Sequence, residues 1–136
     1  MKFVQAKQFS KKVGWGVLAT SDGRKVGSRP MSGFAWFGKE LWCATAKASD
    51  KVKQLKKVSN AEYCFTKPSG EHLRIAGRCR VSANNNDKLK LYKELPLLKK
   101  YIEDPKDPAY VVIKMKPNRI RWTKSTDLDY KEIKVK

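Results

Sequence analysis

Residues that can hold a phosphate group stand together where a strand-like segment of the chain gives way to a helix-like one. This segment, LWCATAKASDKVKQLKKVS, covers residues 41–59 and contains Thr45, Ser49 and Lys51. Ser49 suits the N-cap of a helix, because its hydroxyl can accept a hydrogen bond from an amide of the first turn. Lys51 then falls in that first turn, where the helix dipole already places partial positive charge. A bound anion would remove this conflict, so the amides, the two hydroxyls and the ammonium predict a phosphate site.

The alternative for Lys51 is a side chain that simply extends into water, as surface lysines commonly do. Other site chemistries have less support. The chain has one histidine, His72, which excludes a histidine-rich metal site and leaves a Ser-His-Asp triad only if His72 serves it. Cys43, Cys64 and Cys79 lie in strand-like segments without metal-ligand spacing, and an odd number cannot all pair. We expect reduced core thiols and no metal site.

Length and charge limit the function classes. With 136 residues the chain is expected to form a single domain over 1–136. Its net charge of +18 favours anionic partners such as phosphates or nucleic acid. The chain has no apolar run of transmembrane length, and its first 13 residues lack the apolar region of a secretory signal. We therefore expect a cytoplasmic protein with no membrane partner.

Alternating apolar residues predict six strands. The strands are expected at residues 13–20, 26–37, 41–46, 61–66, 73–81 and 110–116. A bend at 117–118 follows the sixth strand, and residues 119–122 then alternate between basic and apolar. Pro30 removes one ladder hydrogen bond from the second strand, so that strand should be exposed or bulged there. In the fifth strand, apolar residues alternate with arginines, which fixes its register because a slip of one residue would bury the arginines.

Helices are predicted at residues 2–12 and 50–58, and a further helical segment follows residue 84 and is interrupted near Pro96. Six strands with few helices indicate a mainly β fold with peripheral helices, in which a six-stranded antiparallel sheet forms a closed or partly closed barrel.

The order of these motifs resembles the pyridoxamine 5'-phosphate oxidase-like FMN-binding split barrels, and most closely their small general-stress-protein branch. The resemblance covers roughly residues 10–124 and rests on GVLAT, SRPMS, LWCAT followed by SDK, LRIAGRCRV, and a final proline, isoleucine and Trp122. It implies an FMN-binding split β-barrel and a homodimer that holds two FMN molecules at its interface.

The resemblance also implies which residues contact FMN. Arg29 would lie near the phosphate, Met31 and Ser32 beside the flavin ring, and Thr45 near the ring or the ribityl chain. Four further positions complete the set. Ser49 and Lys51 would bind the phosphate, which agrees with the site predicted from their chemistry.

The remaining two residues are His72, which is implied to act from the second subunit, and Trp122. His72 occupies the place of a glutamine that touches the cofactor in the oxidases, and Trp122 that of an aromatic residue near the flavin. Without the resemblance, Arg29 to Ser32 would be an ordinary edge strand and Trp122 an ordinary core residue.

The chain departs from the oxidases after Trp122, where it reads TKSTDLDYKEIKVK. The oxidases carry an arginine and histidine motif there for the vitamin substrate, so classical pyridoxamine phosphate oxidase activity is not expected. The superfamily also includes deazaflavin-dependent and heme-handling relatives, and His72 offers at most one imidazole to heme iron.

Three functions therefore remain open. The first is an FMN-dependent oxidoreductase with a small-molecule substrate, which we expect to be anionic and to pass the basic faces made by Arg74, Arg78 and Arg80 or by Arg119 and Arg121. The second is a basic nucleic-acid-binding barrel, which the charge supports but the aromatic residues at apolar strand positions do not. The third is a flavin carrier or sensor without turnover.

Overall fold

A computed structural model describes residues 1–124 and 128–136, so residues 125–127 of the polar C-terminal tail lie outside the described residues. The described residues form eight strands, three α-helices and one 3-10 helix. In chain order the elements are α1 (Phe3–Val13), β1 (Gly16–Ser21), β2 (Val26–Met31), β3 (Phe34–Phe37), β4 (Glu40–Ala46), α2 (Asp50–Lys57), β5 (Asn60–Thr66), β6 (His72–Ser82), α3 (Asn85–Glu94), the 3-10 helix (Pro96–Lys100), β7 (Tyr110–Thr123) and β8 (Lys131–Ile133).

The strands form one antiparallel sheet in the order β2-β1-β5-β6-β7-β4-β3, and β8 pairs with β7. The sheet curls into a half-barrel, as expected for a split barrel. Phe34 of β3 shows the curl directly, because its ring lies 5.2 Å from that of Phe65 on β5, a strand four places away in the sheet. The mainly β split-barrel fold with peripheral helices is confirmed.

Two apolar clusters hold the sheet and helices together. The larger one fills the inside of the curl with residues such as Leu18, Tyr63 and Ile75. The smaller one lies between the outer face of β3, β4 and β7 and the segment of α3 and the 3-10 helix, and contains Trp42 and Leu91. Both faces of β4 are therefore covered, and its end at residues 45–46 is held in place from two sides.

The predicted second strand, residues 26–37, is wrong as a single element. It is two strands, since β2 pairs with β1 while β3 pairs with β4. The chain turns at Ser32 and Gly33, and the carbonyl of Gly33 accepts a hydrogen bond from the amide of Ala44 at 2.9 Å. Because of this turn, β2 lies at one end of the strand order and β3 at the other. The predicted strand at residues 26–37 therefore forms two strands that are not neighbours.

The other differences concern β7 and the tail. The expected bend at 117–118 is a β-bulge and does not end β7. Ala76 pairs with Arg119 and Gly77 with Pro117, so Asn118 is the extra residue of β7. The tail contributes the short strand β8, which was not predicted because Ile133 is its only buried residue. Predicted helices at 2–12 and 50–58 are confirmed as α1 and α2.

Candidate functional site

Arg29 lies on the inner face of β2, opposite Leu18 of β1, and is tied to helix α2 through a short chain of hydrogen bonds. Its Nη1 donates to the hydroxyl of Thr20 at 2.6 Å and to the carbonyl of Leu18 at 3.3 Å. The Thr20 hydroxyl in turn donates to the side-chain carbonyl of Gln54 on α2. Partial burial lowers the pKa of Arg29, and the negative charge of Asp50 partly opposes this. Arg29 is thus a partly desolvated cation beside the start of α2.

Lys51 lies in the first turn of α2, close to Arg29. Burial lowers the pKa of its ammonium, and the positive charge of Arg29 lowers it further, while Asp50 and the Cys43 thiol act in the opposite direction. The ammonium of Lys51 has no hydrogen-bond or ion-pair partner among residues 1–124 and 128–136. Two cations and one carboxylate, Asp50, therefore lie at the positive end of this helix, which leaves a net positive charge that a further anion would offset.

Ser49 is the N-cap of α2, as predicted, but its side chain makes no capping hydrogen bond. The hydroxyl donates instead to the carbonyl of Ala46 at 2.7 Å and lies 3.5 Å from the hydroxyl of Thr45. The first backbone bond of the helix is the one from Lys53 to the carbonyl of Ser49, at 3.3 Å, so the amides of residues 50–52 have no acceptor in the helix. These amides, the two hydroxyls and Lys51 lie together and form a candidate phosphate cradle.

Met31 and Ser32 follow Arg29 and occupy different environments. The side chain of Met31 is buried in the larger core cluster, so it is a packing residue and only its backbone is available to a ligand. Ser32 is exposed at the turn into β3, and the next residue, Gly33, bonds to Ala44. Ser32 thus lies beside Thr45, the neighbour of Ala44 on β4.

His72 and Trp122 are not part of this group. Thr45 pairs with Val111 near the start of β7, and Trp122 lies 11 residues farther along the same strand, about 35 Å by strand rise. His72 pairs with Thr123 at that distant end. One chain therefore brings together five of the eight predicted side chains, leaves Met31 in the core, and places His72 and Trp122 far away.

Both ring nitrogens of His72 already have partners. Nδ1 lies 2.9 Å from the carbonyl of Gly70, to which it can only donate, so Nε2 accepts from the hydroxyl of Tyr130 at 2.7 Å. The indole nitrogen of Trp122 donates to the carboxylate of Glu71 at 2.9 Å. Neither side chain has a ring nitrogen free for a cofactor.

Most arginines of the predicted basic faces form ion pairs within the chain. Arg74 and Arg121 both pair with Glu62, Arg80 pairs with Glu40 and Arg119 with Glu132. Four of the five arginines expected to guide an anionic substrate thus have a carboxylate partner. The alternation of apolar residues and arginines correctly predicted which face of each strand the arginines occupy. It could not predict their carboxylate partners, which lie on other strands.

A cleft of about 370 Å³ opens beside Ser32 and Thr45, and most of its wall was not predicted. The wall is formed by the end of β4, the segment after the 3-10 helix and the approach to β7. It is lined by Ser32, Gly33, Ala44, Thr45, Ala46, Leu97, Tyr101, Ile102, Asp107, Ala109 and Tyr110. The only sequence signal for these residues was a helical segment ending in prolines, which says nothing of a cavity.

Comparison with known families agrees with the fold and with the order of motifs. The family model described as "Pyridoxamine 5'-phosphate oxidase like" matches residues 4–132. The chain belongs to this family. The resemblance stated from the sequence is therefore confirmed. No curated protein matches this pyridoxamine 5'-phosphate oxidase-like chain significantly.

Solved structures with similar folds include proteins that bind different cofactors. General Stress Protein 26 from Bacillus anthracis superimposes with a TM-score of 0.72 at 24% identity, covering 93% of this chain and 97% of that one. A pyridoxamine 5'-phosphate oxidase-related, FMN binding protein from Nostoc punctiforme gives 0.72 at 16% identity, covering 95% and 86%. A heme binding protein from Mycobacterium smegmatis gives 0.72 at 15%, covering 94% of this chain and 55% of that one. At these identities the likeness establishes the fold alone.

Within the part of the chain that the structure describes, no three or more His, Cys, Asp or Glu side chains are arranged to hold a metal ion. No helix formed by residues 1–124 and 128–136 is long and apolar enough to cross a membrane.

Proposed function

We propose that this pyridoxamine 5'-phosphate oxidase-like protein binds FMN through its phosphate at the N-terminus of α2 and acts as an FMN-dependent oxidoreductase. The observation that carries the proposal is the placement of Arg29 and Lys51 beside the free amides of residues 50–52. Lys51 has no acceptor among the described residues, and its pKa is lowered by burial and by Arg29. A phosphate dianion between them would neutralise both cations and accept the amides.

The flavin ring is proposed to lie against Ser32 and Thr45. Thr45 joins the two parts of the site, because its hydroxyl is next to Ser49 and its side chain also lines the cleft. Bound FMN would supply electron or hydride transfer, and the residues around it would hold the phosphate and orient the ring. The described residues of the cradle include no obvious acid or base for a substrate.

A homodimer is proposed because His72 and Trp122 are far from the cradle of their own chain. A twofold interface is the commonest closed arrangement, and it would allow the ring face of the partner subunit's Trp122 to cover the flavin. The interface should bury a large apolar area. Sedimentation at micromolar concentration tests this: a dimer is expected, and a monomer that still binds FMN would reject the proposal.

The phosphate site is tested by titrating FMN and riboflavin separately into the purified protein. FMN should bind much more tightly than riboflavin, because each charge-assisted contact to the phosphate contributes about 1.5 to 3 kcal/mol. Lys51→Ala should weaken the binding of FMN and leave the affinity for riboflavin unchanged. Lys53→Ala, which removes an exposed lysine from the same helix turn, is the matched control. Equal FMN affinities for the two variants would place the phosphate elsewhere.

Two other ligands are separated by the visible spectrum of the purified protein. Flavin bands support the proposal, whereas a Soret band would favour heme, for which His72 has both nitrogens already engaged. If the protein shows flavin bands but catalyses no electron transfer from any tested donor to any tested acceptor, a carrier or sensor would be favoured over an oxidoreductase.

Nucleic-acid binding is the second candidate, and the net charge of +18 is the observation that favours it. Against it, most aromatic rings lie at buried or partly buried positions, where they are not available for stacking on bases. Duplex and single-stranded DNA should be titrated at two salt concentrations. Binding that vanishes with salt would leave the flavoprotein proposal standing, while tight binding at physiological salt that ignores FMN would overturn it.

A further inference from the structure

The cleft beside Ser32 and Thr45 has a wall that the phosphate cradle does not use. Tyr101 and Leu97 stand at its mouth, and their side chains are 80% and 36% exposed. Ile102 and the buried Tyr110 complete the apolar lining. Large apolar side chains left open to water around a concave site are typical of ligand pockets, and the volume of about 370 Å³ lies within the range of about 300 to 1,000 Å³ seen for such pockets.

Hydrogen bonds from α3 fix this wall in place. The hydroxyl of Tyr92 donates to the carbonyl of Ile102 at 3.0 Å, and the ammonium of Lys88 donates to the carbonyl of Asp107 at 2.8 Å. The hydroxyl of Tyr110 closes the arrangement by donating to the carbonyl of Lys88 at 2.8 Å. The cleft is therefore built before any ligand arrives, which lowers the entropic cost of binding.

The charge of the lining selects among ligands. Asp107 is the only charged residue that lines the cleft within the described part of the chain, and no lysine or arginine does so. Its Oδ1 accepts from the amide of Ala109 at 2.9 Å, which holds the carboxylate in one orientation. Lys88, the nearby cation, is 2% exposed, and the wall's own carbonyl occupies its ammonium. An anion would meet an acidic lining here, despite the net charge of +18.

We propose that this cleft binds the substrate as a planar aromatic molecule that is neutral or cationic, with Tyr101 as its stacking surface and Asp107 as the residue that discriminates against anions. The inference rests on the proposed function, because it places this molecule next to the flavin at Ser32 and Thr45. It differs from the expectation of an anionic substrate, whose arginine faces are ion-paired within the chain.

Three indoles of similar size and different charge test the proposal: indole-3-acetamide (neutral), tryptamine (cationic) and indole-3-acetate (anionic). Their binding to the full chain is measured by equilibrium dialysis, with and without FMN. We expect saturable binding of the first two with Kd values below about 1 mM, and clearly weaker binding of the acetate. Tyr101→Ala should weaken the amide about threefold to tenfold, since an aromatic contact is lost.

Two variants separate stacking from charge. Asp107→Asn keeps an oxygen that can accept the hydrogen bond from the backbone amide of Ala109. It should weaken tryptamine binding about twofold to fivefold and leave the affinity for indole-3-acetamide unchanged. Trp15→Ala removes another aromatic residue that is 55% exposed but lies outside the cleft, and it should change neither probe.

Several results would overturn the inference. They are an acetate affinity equal to or above that of the amide, an unchanged amide affinity in Tyr101→Ala, and loss of probe binding when FMN is loaded, which would mean that the flavin itself fills the cleft. Failure of FMN to bind, with the indoles still bound in the expected order, would instead refute the proposed cofactor and leave the cleft assignment intact.

Discussion

The ammonium of Lys88, almost completely buried on α3, donates a hydrogen bond at 2.8 Å to the backbone carbonyl of Asp107. It also lies 5.4 Å from the centre of the Tyr110 ring, so a buried lysine holds the loop before β7 against α3. The carbonyl of Asp107 accepts a second bond from the amide of Tyr110 at 3.0 Å. Lys88 thus contacts the loop that lines the cleft at two points, the backbone carbonyl of Asp107 and the ring of Tyr110.

Lys88→Met should lower the free energy of unfolding by about 1 to 3 kcal/mol, because a charge-assisted hydrogen bond is lost while the Asp107 carbonyl keeps its second donor. Urea unfolding measures this. Lys93→Met, at an exposed position of the same helix, should change stability by about 0.5 kcal/mol or less. A loss of stability in Lys88→Met without weaker binding of indole-3-acetamide would show that the cleft does not depend on this bond.

Lys51→Met should stabilise the protein without FMN and weaken FMN binding. The pKa of Lys51 is lowered in the fold, so the charged form is less favourable there than in the unfolded chain. Between that lowered value and the ordinary lysine value, the unfolded chain binds more protons and stability rises with pH. The variant should lose this rise and lose about 10-fold to 100-fold in FMN affinity. Thermal unfolding across alkaline pH, with and without FMN, measures both effects.

The opposite result would be informative in the same experiment. A Lys51→Met protein that is less stable without FMN than Lys53→Met would mean that Lys51 has a stabilising partner in the fold, and the argument for an anion site would fail.

Cys64 should be the reactive thiol of the native protein. Burial raises the pKa of Cys43 to about 11 and that of Cys79 to about 12, whereas Cys64 is partly exposed on the outer face of β5. The expectation of three core thiols is therefore wrong for Cys64, because Tyr63 and Phe65 take the inward positions. Iodoacetamide at pH 8 should modify Cys64 first, and Cys64→Ser should abolish rapid labelling.

The buried thiols of Cys43 and Cys79 should make the free energy of unfolding depend on pH in the alkaline range. Their pKa values are raised in the fold, so the stability they contribute is present below the ordinary thiol value and is lost as pH rises towards about 11. Cys79→Ala should reduce this loss. An identical decline with pH in the variant and the parent would assign it to other groups.

Gly77→Ala should lower the free energy of unfolding by about 1 to 3 kcal/mol. A Cβ at Gly77 would overlap the backbone carbonyl of Lys116, which cannot move without disturbing the register shift opposite Pro117. Gly33→Ala is the control, since the nearest atom to its Cβ is the flexible end of Leu98 at 3.4 Å. Comparable urea midpoints for the two variants would show that the bulge has room to relax.

Local pattern determined the elements on which the cradle depends. The N-cap at Ser49 and the position of Lys51 in the first turn of α2 are both as predicted, because helix starts are encoded by residues within one turn of each other. The alternation of apolar residues and arginines in β6 likewise fixed its buried face, since a shifted register would bury charge. Family membership followed from the order of such segments along the chain.

Tertiary structure decided what lies next to what. Only the tertiary structure shows that residues 26–37 divide between two distant strands and that Glu62 pairs with both Arg74 and Arg121. It also shows that His72 and Trp122 lie far from Thr45. The cleft likewise exists only because α3 pins residues 102 and 107 beside the end of β4. Periodicity reports which side of an element is buried, whereas pairing between remote strands and the shape of a cavity depend on how those buried sides pack together.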